Sequence, residues 1–251
     1  MTIIWCNNYE ELSRKAAAII ASQIVIKPTS TIGFATGATP IGLYDNLVKK
    51  YQNDEISFAG VKAFNLDEYV TGSRDVEWSF VSFMYNHLFA HVDIPEGNTD
   101  IPNGVATDLE AECARYSEAL DAVEGGLDYQ ILGIGANGHV GFVEPNSFYP
   151  LDTHVVDLKE SSIIGQRPFF EDWSKIPTRA LTVGIRPIMH AKQCLLIASG
   201  EGKSEILEKA LFGPVTPMVP ASILQLHQGL TVVADKEALA HILEKHPGCA
   251  I

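Results

Sequence analysis

Thr31-Ile32-Gly33-Phe34-Ala35-Thr36-Gly37-Ala38-Thr39-Pro40 is the stretch whose reading decides the fold. A β-branched and aromatic run passes into a Gly/Thr loop. A hydroxyl followed by proline then opens a helix whose Ile41, Tyr44 and Val48 share one stripe. Backbone N–H groups, two hydroxyls and a helix dipole converge in that loop, and together they suit an anion. A tight β–α turn with a good cap accounts for the same residues equally well. A Walker loop is excluded, because no Gly-Lys-Ser/Thr follows.

Outward from this stretch, short β-branched runs alternate with longer segments of helical period. That alternation argues for an α/β fold with a mostly parallel central sheet and helices on both faces. Strands are expected at Ile3–Trp5, Thr31–Ala35, Val61–Asn65, Asp128–Leu132, Ala180–Val183, Cys194–Ala198 and Leu230–Ala234. Asn8 with Glu11 reads as a capping box for a first helix, and Thr107 with Glu110 reads the same way for a later one. Further helices are expected at Trp78–Ala90, Ser204–Phe212 and Ala238–Leu243. With 251 residues, no internal repeat and no Gly/Ser-rich linker, one domain over residues 1–251 is the simplest organisation. The least regular stretch, residues 145–177, is long enough to act as a lid or a binding segment.

Eighteen basic against 31 acidic residues leave a net charge of −13. Such a balance speaks against an extended nucleic-acid face or an anionic membrane surface, both of which need a basic patch. It does not speak against a small anion, for which one cation and one helix N-terminus suffice. Cys6, Cys113, Cys194 and Cys249 are scattered, with neither a C-x-x-C pair nor a metal-ligand spacing, and read as reduced thiols. The first residues lack the charged and apolar regions of a signal peptide, and no apolar run reaches the roughly 18 residues of a membrane span. A cytoplasmic location is expected.

Three more strand-end segments carry chemistry-bearing residues. Asn65-Leu66-Asp67-Glu68-Tyr69 places two carboxylates directly after a strand, the position of a general base facing a cleft and equally that of a solvated acidic loop. Gly133-Ile134-Gly135-Ala136-Asn137-Gly138-His139 contains a G-x-G-x-x-G spacing, with Asp157 near the distance of a ribose contact. A dinucleotide site is set aside, because Gly141 and Pro145 interrupt any helix that would follow. His139 among glycines, five residues before Glu144, reads as a packed histidine or as one oriented by a carboxylate. Lys203, in Ser199-Gly200-Glu201-Gly202-Lys203, would complement a phosphate at a helix start or lie on the surface. On one parallel sheet all four loops point to the same edge, so their residues can meet in one cleft.

Ala-Thr-Gly-Ala-Thr-Pro (35–40), Leu-Asp-Glu-Tyr (66–69), Leu-Gly-Ile-Gly-Ala-Asn-Gly-His (132–139), Ala-Leu-Thr-Val-Gly-Ile (180–185) and Pro-Ala-Ser-Ile-Leu-Gln-Leu-His (220–227) together resemble the glucosamine-6-phosphate deaminase family. Their order and spacing match over nearly the whole chain. The resemblance implies a modified Rossmann-like three-layer fold. It also implies conversion of glucosamine 6-phosphate and water to fructose 6-phosphate and ammonia, with no metal or organic cofactor, in a monomer or homo-oligomer. By position, Asp67 falls on the base for proton transfer between carbons and His139 on the ring-opening base. Asn137 and Glu144 fall on residues that orient that histidine, although many members have Asp where this chain has Asn137. Thr36, Gly37, Ala38 and Thr39 match the phosphate-side loop, and Lys203 matches a phosphate-contacting lysine.

Two departures fall in the substrate-facing region. Val143 replaces the Asn of Gly-Phe-Asn-Glu-Pro, which removes an amide expected near the sugar. Arg167 stands one residue before the family's phosphate arginine, with Pro168 in that place. Both point toward altered sugar discrimination, with galactosamine 6-phosphate as the alternative substrate. 6-Phosphogluconolactonase and a non-catalytic sugar-phosphate sensor are the further alternatives. Leu-Asp-Glu-Tyr and Phe-Val-Glu-Pro favour the deaminase over the lactonase, and the acid–base groups favour an enzyme over a sensor.

Overall fold

The computed structural model describes residues 1–73, 76–167 and 170–248. Its central sheet has seven strands in the order β1 (Thr2–Cys6), β10 (Leu230–Asp235), β9 (Cys194–Ala198), β6 (Tyr129–Leu132), β2 (Thr31–Phe34), β3 (Lys62–Asn65) and β5 (Thr99–Asp100). Every pairing is parallel. The helices are α1 (Tyr9–Ile26), α2 (Ala38–Gln52), α3 (Phe80–His87), α4 (Leu109–Asp121), α5 (Glu160–Gln166), α6 (Ile185–His190), α7 (Ser204–Phe212) and α8 (Ala240–Lys245). Together they make the three-layer α/β architecture expected from the sequence. β2 and β9 are buried along their whole length, as strands covered on both faces must be.

The winding direction decides where a ligand can sit. From β2 the chain adds β3 and β5 outward on one side, then returns to place β6 against β2 and adds β9 and β10 on the other. The crossovers after β2 and β6 therefore leave in opposite directions and open a crevice at the carboxyl ends of the two strands. The four chemistry-bearing loops follow β2, β3, β6 and β9, which are neighbours in the sheet.

One expected strand belongs elsewhere. β8 (Arg179–Thr182) pairs antiparallel with β4 (Asp67–Tyr69) and with β7 (His154–Asp157) in a separate three-stranded sheet. Three of its four residues are buried, so its sequence reads like an interior parallel strand. Only one residue, Leu66, separates β3 from β4, which is too short for a crossover, so β4 turns out of the main sheet and recruits β8. Val183 N–H donates to Leu66 O at 2.8 Å and joins the two sheets at that turn.

The helix starts also differ from expectation. Asn8 caps α1 by accepting from Glu11 N–H at 2.9 Å, but the Glu11 carboxylate returns to Asn7 rather than to Asn8. Asp108, not Thr107, caps α4. α2 starts at Ala38 with Gly37 as its cap residue, which puts Thr39 inside the first turn. Residues 145–177 contain β7 and α5 rather than irregular chain alone. Cys6, Cys113 and Cys194 are buried free thiols, and Cys249 lies outside the described residues. Among the described residues no helix is long and apolar enough to cross a membrane.

Candidate active site

A cavity of about 230 Å³ lies at the switch point. Its walls come from residues 35–40 after β2, Leu66 and Asp67 after β3, residues 133–136 and His139 after β6, and Lys203 after β9. Gly141, Phe142, Phe80, Ser161 and Ser162 complete it. All four strand-end loops singled out in the sequence thus meet in one place. A larger cavity of about 900 Å³ shares Gly37 and Phe80 with it and extends between α3 and residues 170–172.

Asp67 is 5% exposed, lines the cavity, and accepts no hydrogen bond from any described residue. Burial, and secondarily the adjacent Glu68 carboxylate, push its carboxyl well above the usual carboxylate range. Glu68 is engaged differently. Its carboxylate accepts from the backbone N–H groups of Tyr69, Phe80 and Val81 at 2.8–2.9 Å, anchoring the start of α3. Of the two adjacent acids, one is held by backbone and the other faces the cavity. Gly141, at φ +55°, passes beside them, and a Cβ there would sit 3.1 Å from Thr182 Oγ1 and 3.5 Å from Asp67 Oδ2.

The histidine is set by a tight turn and a hydrogen-bonded chain. Gly135 N–H donates to His139 O at 2.9 Å, and the imidazole lies so close over Gly135 that a Cβ would fall 2.2 Å from its Cε1. His139 Nδ1 stands 2.7 Å from Asn137 Oδ1, while Asn137 Nδ2 donates to Glu144 Oε2 at 2.7 Å. Glu144 Oε1 accepts from Ser162 Oγ and, at 3.4 Å, from Lys159 N–H. A carboxylate only accepts, so the amide must turn its Nδ2 to Glu144 and its Oδ1 to the ring. Nδ1 therefore carries the hydrogen and Nε2 keeps its lone pair. Burial holds the imidazole below its ordinary pKa. The Glu144 carboxylate, 3.8 Å from Nδ1, opposes this shift and Lys203 adds to it.

Lys203 reaches the cavity from the turn after β9. Asp235 pins that turn by accepting from Gly200 N–H at 3.1 Å and Ala238 N–H at 2.9 Å. Lys203 Nζ donates to Ile134 O at 2.8 Å, and burial lowers its pKa. An ammonium has three donors, so the carbonyl leaves two for an anion. Opposite it, Thr36 and Gly37 lead into α2, whose first turn opens at Ala38 and Thr39 with no side chain capping the free N–H groups.

Arg167 does not join the cavity. Its guanidinium stacks over the ring of exposed Trp173, 4.5 Å from the centroid, a cation–π contact that holds it outside the lining. Pro168 lies outside the described residues. Val143 is 1% exposed and packs in the main hydrophobic core, away from the cavity wall. Val143→Asn should therefore lower the unfolding free energy by about 1–3 kcal/mol, the cost of burying an amide without a partner. The activity ratio between the glucosamine and galactosamine epimers should stay unchanged. Denaturant melts and paired assays check this, and a changed ratio would show that the position reads the sugar.

The sequence reading missed Ser161 and Ser162. Ser161 Oγ accepts from Asn137 Nδ2 at 3.1 Å, and Ser162 Oγ donates to Glu144 Oε1 while lying 3.4 Å from His139 Nδ1. The two serines of α5 thus close the histidine cluster from the stretch expected to be a lid. No spacing relates them to residues 137–144.

The family described as glucosamine-6-phosphate isomerases/6-phosphogluconolactonase matches residues 7–233. A glucosamine-6-phosphate deaminase of Clostridium botulinum is 47% identical over 242 residues, 96% of this chain and 99% of the relative. One of Lachnoclostridium phytofermentans is 52% identical over 233 residues, 93% of this chain and 98% of the relative. The solved structure of a monomeric glucosamine-6-phosphate deaminase superposes with a TM-score of 0.93 at 42% identity, covering 96% of this chain and all (100%) of that one. The 6-phosphogluconolactonase of Trypanosoma brucei shares the fold, with a TM-score of 0.71 at 20% identity over 96% of this chain and 98% of its own. By sequence match over most of its length, the chain belongs to the glucosamine-6-phosphate isomerase/6-phosphogluconolactonase family.

Proposed function

We propose that this chain is a glucosamine-6-phosphate deaminase, converting glucosamine 6-phosphate and water to fructose 6-phosphate and ammonia. The observation that carries the reading is the meeting, in one crevice, of a buried carboxylate and a histidine Nε2 that have no hydrogen-bond partner among the described residues, and an anion loop facing a lysine. The chain is read as a single domain, in which Ser161 and Ser162, from the stretch expected to be a lid, line the cavity. The buried free thiols fit a reducing compartment such as the cytoplasm.

The phosphate binds Thr36, Gly37, Ala38, Thr39 and Lys203, which supplies binding energy remote from the reacting carbons and aligns them. His139 Nε2 then takes the proton of the anomeric hydroxyl and delivers one to the ring oxygen as the C1–O bond to that oxygen breaks. Asn137 and Glu144 hold the ring throughout. Asp67 removes the C2 proton of the open aldehyde and returns it at C1 while a proton passes from the C2 ammonium to O1, leaving an iminium at C2. Water adds there, and ammonia departs as the C2 carbonyl forms. A carboxyl whose pKa is raised suits a group that must accept a proton and then give it back.

Release of ammonia from glucosamine, galactosamine and N-acetylglucosamine 6-phosphates, run beside hydrolysis of 6-phosphogluconolactone, tests the proposal. Fructose 6-phosphate and ammonia in equal amounts from the glucosamine substrate are expected. Preference for the galactosamine epimer would reassign the substrate, and lactone hydrolysis without ammonia release would overturn the reaction.

A further inference from the structure

The start of α2 has an unusual support. Its cap residue, Gly37, supplies no side chain, yet the first turn does not stand alone. The hydroxyl of Tyr9, the first residue of α1, accepts from Gly42 N–H at 2.9 Å and lies 3.1 Å from both Ala38 O and Thr39 O. A glycine at 42 makes this approach feasible, since a Cβ there would sit 2.4 Å from Ser13 Oγ and 3.1 Å from the Tyr9 hydroxyl.

The placement has a chemical consequence. A Ser, Thr or Asp cap accepts hydrogen bonds from the free N–H groups of the first turn, and an arriving anion would have to displace it. Tyr9 instead accepts from Gly42 N–H and donates to the carbonyls of the first turn, Ala38 O or Thr39 O. The Ala38 and Thr39 N–H groups receive no side-chain cap. We infer that Tyr9 is a positioning residue for the phosphate loop, holding the first turn of α2 in register while leaving its N–H groups to the ligand. The inference rests on the assignment of residues 36–39 as the phosphate site.

Tyr9→Phe keeps the ring and removes the hydroxyl. The expected result is a KM for glucosamine 6-phosphate raised about three- to tenfold, the effect of one neutral hydrogen bond, with kcat within about twofold of wild type. The dissociation constant of inorganic phosphate, measured by calorimetry on the whole protein, should rise by the same factor. A residue with only a structural role would lower the melting temperature and leave this split between KM and kcat absent. Lys203→Ala is the companion variant. If it weakens phosphate binding while Tyr9→Phe leaves both KM and phosphate affinity unchanged, the role of Tyr9 is overturned and the phosphate site stands. If neither variant alters phosphate binding, the site assignment fails and this inference fails with it.

Discussion

Asp67→Asn is expected to lower ammonia release by a factor of about 10² or more, because the amide keeps the shape of the side chain but cannot accept the C2 proton. Phosphate-anchored binding should survive, since Asp67 lies on a different strand end from residues 36–39 and Lys203. The same change should stabilise the fold at neutral and alkaline pH. The folded-state pKa of Asp67 is raised above the roughly 3.9 of an unfolded aspartate. Its contribution is therefore fully present below the unfolded value and is lost as pH rises through the folded one. The variant does not suffer that loss, so its advantage in thermal melts should grow from acid toward pH 8. An enzyme that loses activity and gains stability at one residue keeps there, for function, a carboxyl whose ionised form the fold disfavours. Near-normal ammonia release from the variant would remove Asp67 as the base and turn attention to Glu68 and Glu144, each of which would first have to release the three donors it holds.

His139→Gln should fail in another way. Without Nε2 the closed ring opens only as fast as it does in water, so turnover should fall by about 10² and saturate at the supply of open chain. With substrate deuterated at C2, Asp67→Asn should show an isotope effect at least as large as wild type. His139→Gln should show a smaller one, because a step before carbon proton transfer limits it. Equal isotope effects in the two variants would mean that His139 does not act on ring opening. Direct supply of the open form should restore His139→Gln far more than Asp67→Asn.

Much of this was legible in the residues taken alone. The passage from strand to Gly/Thr loop to helix at Thr31–Pro40, echoed at Cys194–Phe212, and the alternation of short strands with helical segments determined a parallel α/β sheet and put the anion loop, Asp67, His139 and Lys203 at one edge. Those features are local, set by β-branched runs, glycine turns and short-range spacing, and such information survives in one dimension. What depends on contacts distant in sequence did not survive. β8 reads as an interior strand of the main sheet. Its pairing follows from β4 leaving β3 after a single residue, which only the folded chain shows. Val143 and Arg167 stand beside matched motifs and were expected at the sugar. The core takes the first and Trp173 takes the second.

The division between Asp67 and Glu68 was likewise open in the sequence, since two adjacent acids look alike until one of them meets the backbone of α3. Ser162 lies 18 residues from Glu144 and 23 from His139, beyond any periodicity that could link them. The sequence by itself determined which loops carry the chemistry, because the types and order of residues at strand ends are written locally. Tertiary structure alone decided which side chain in each loop is left free to act, because that depends on which donors and acceptors the rest of the fold has already satisfied.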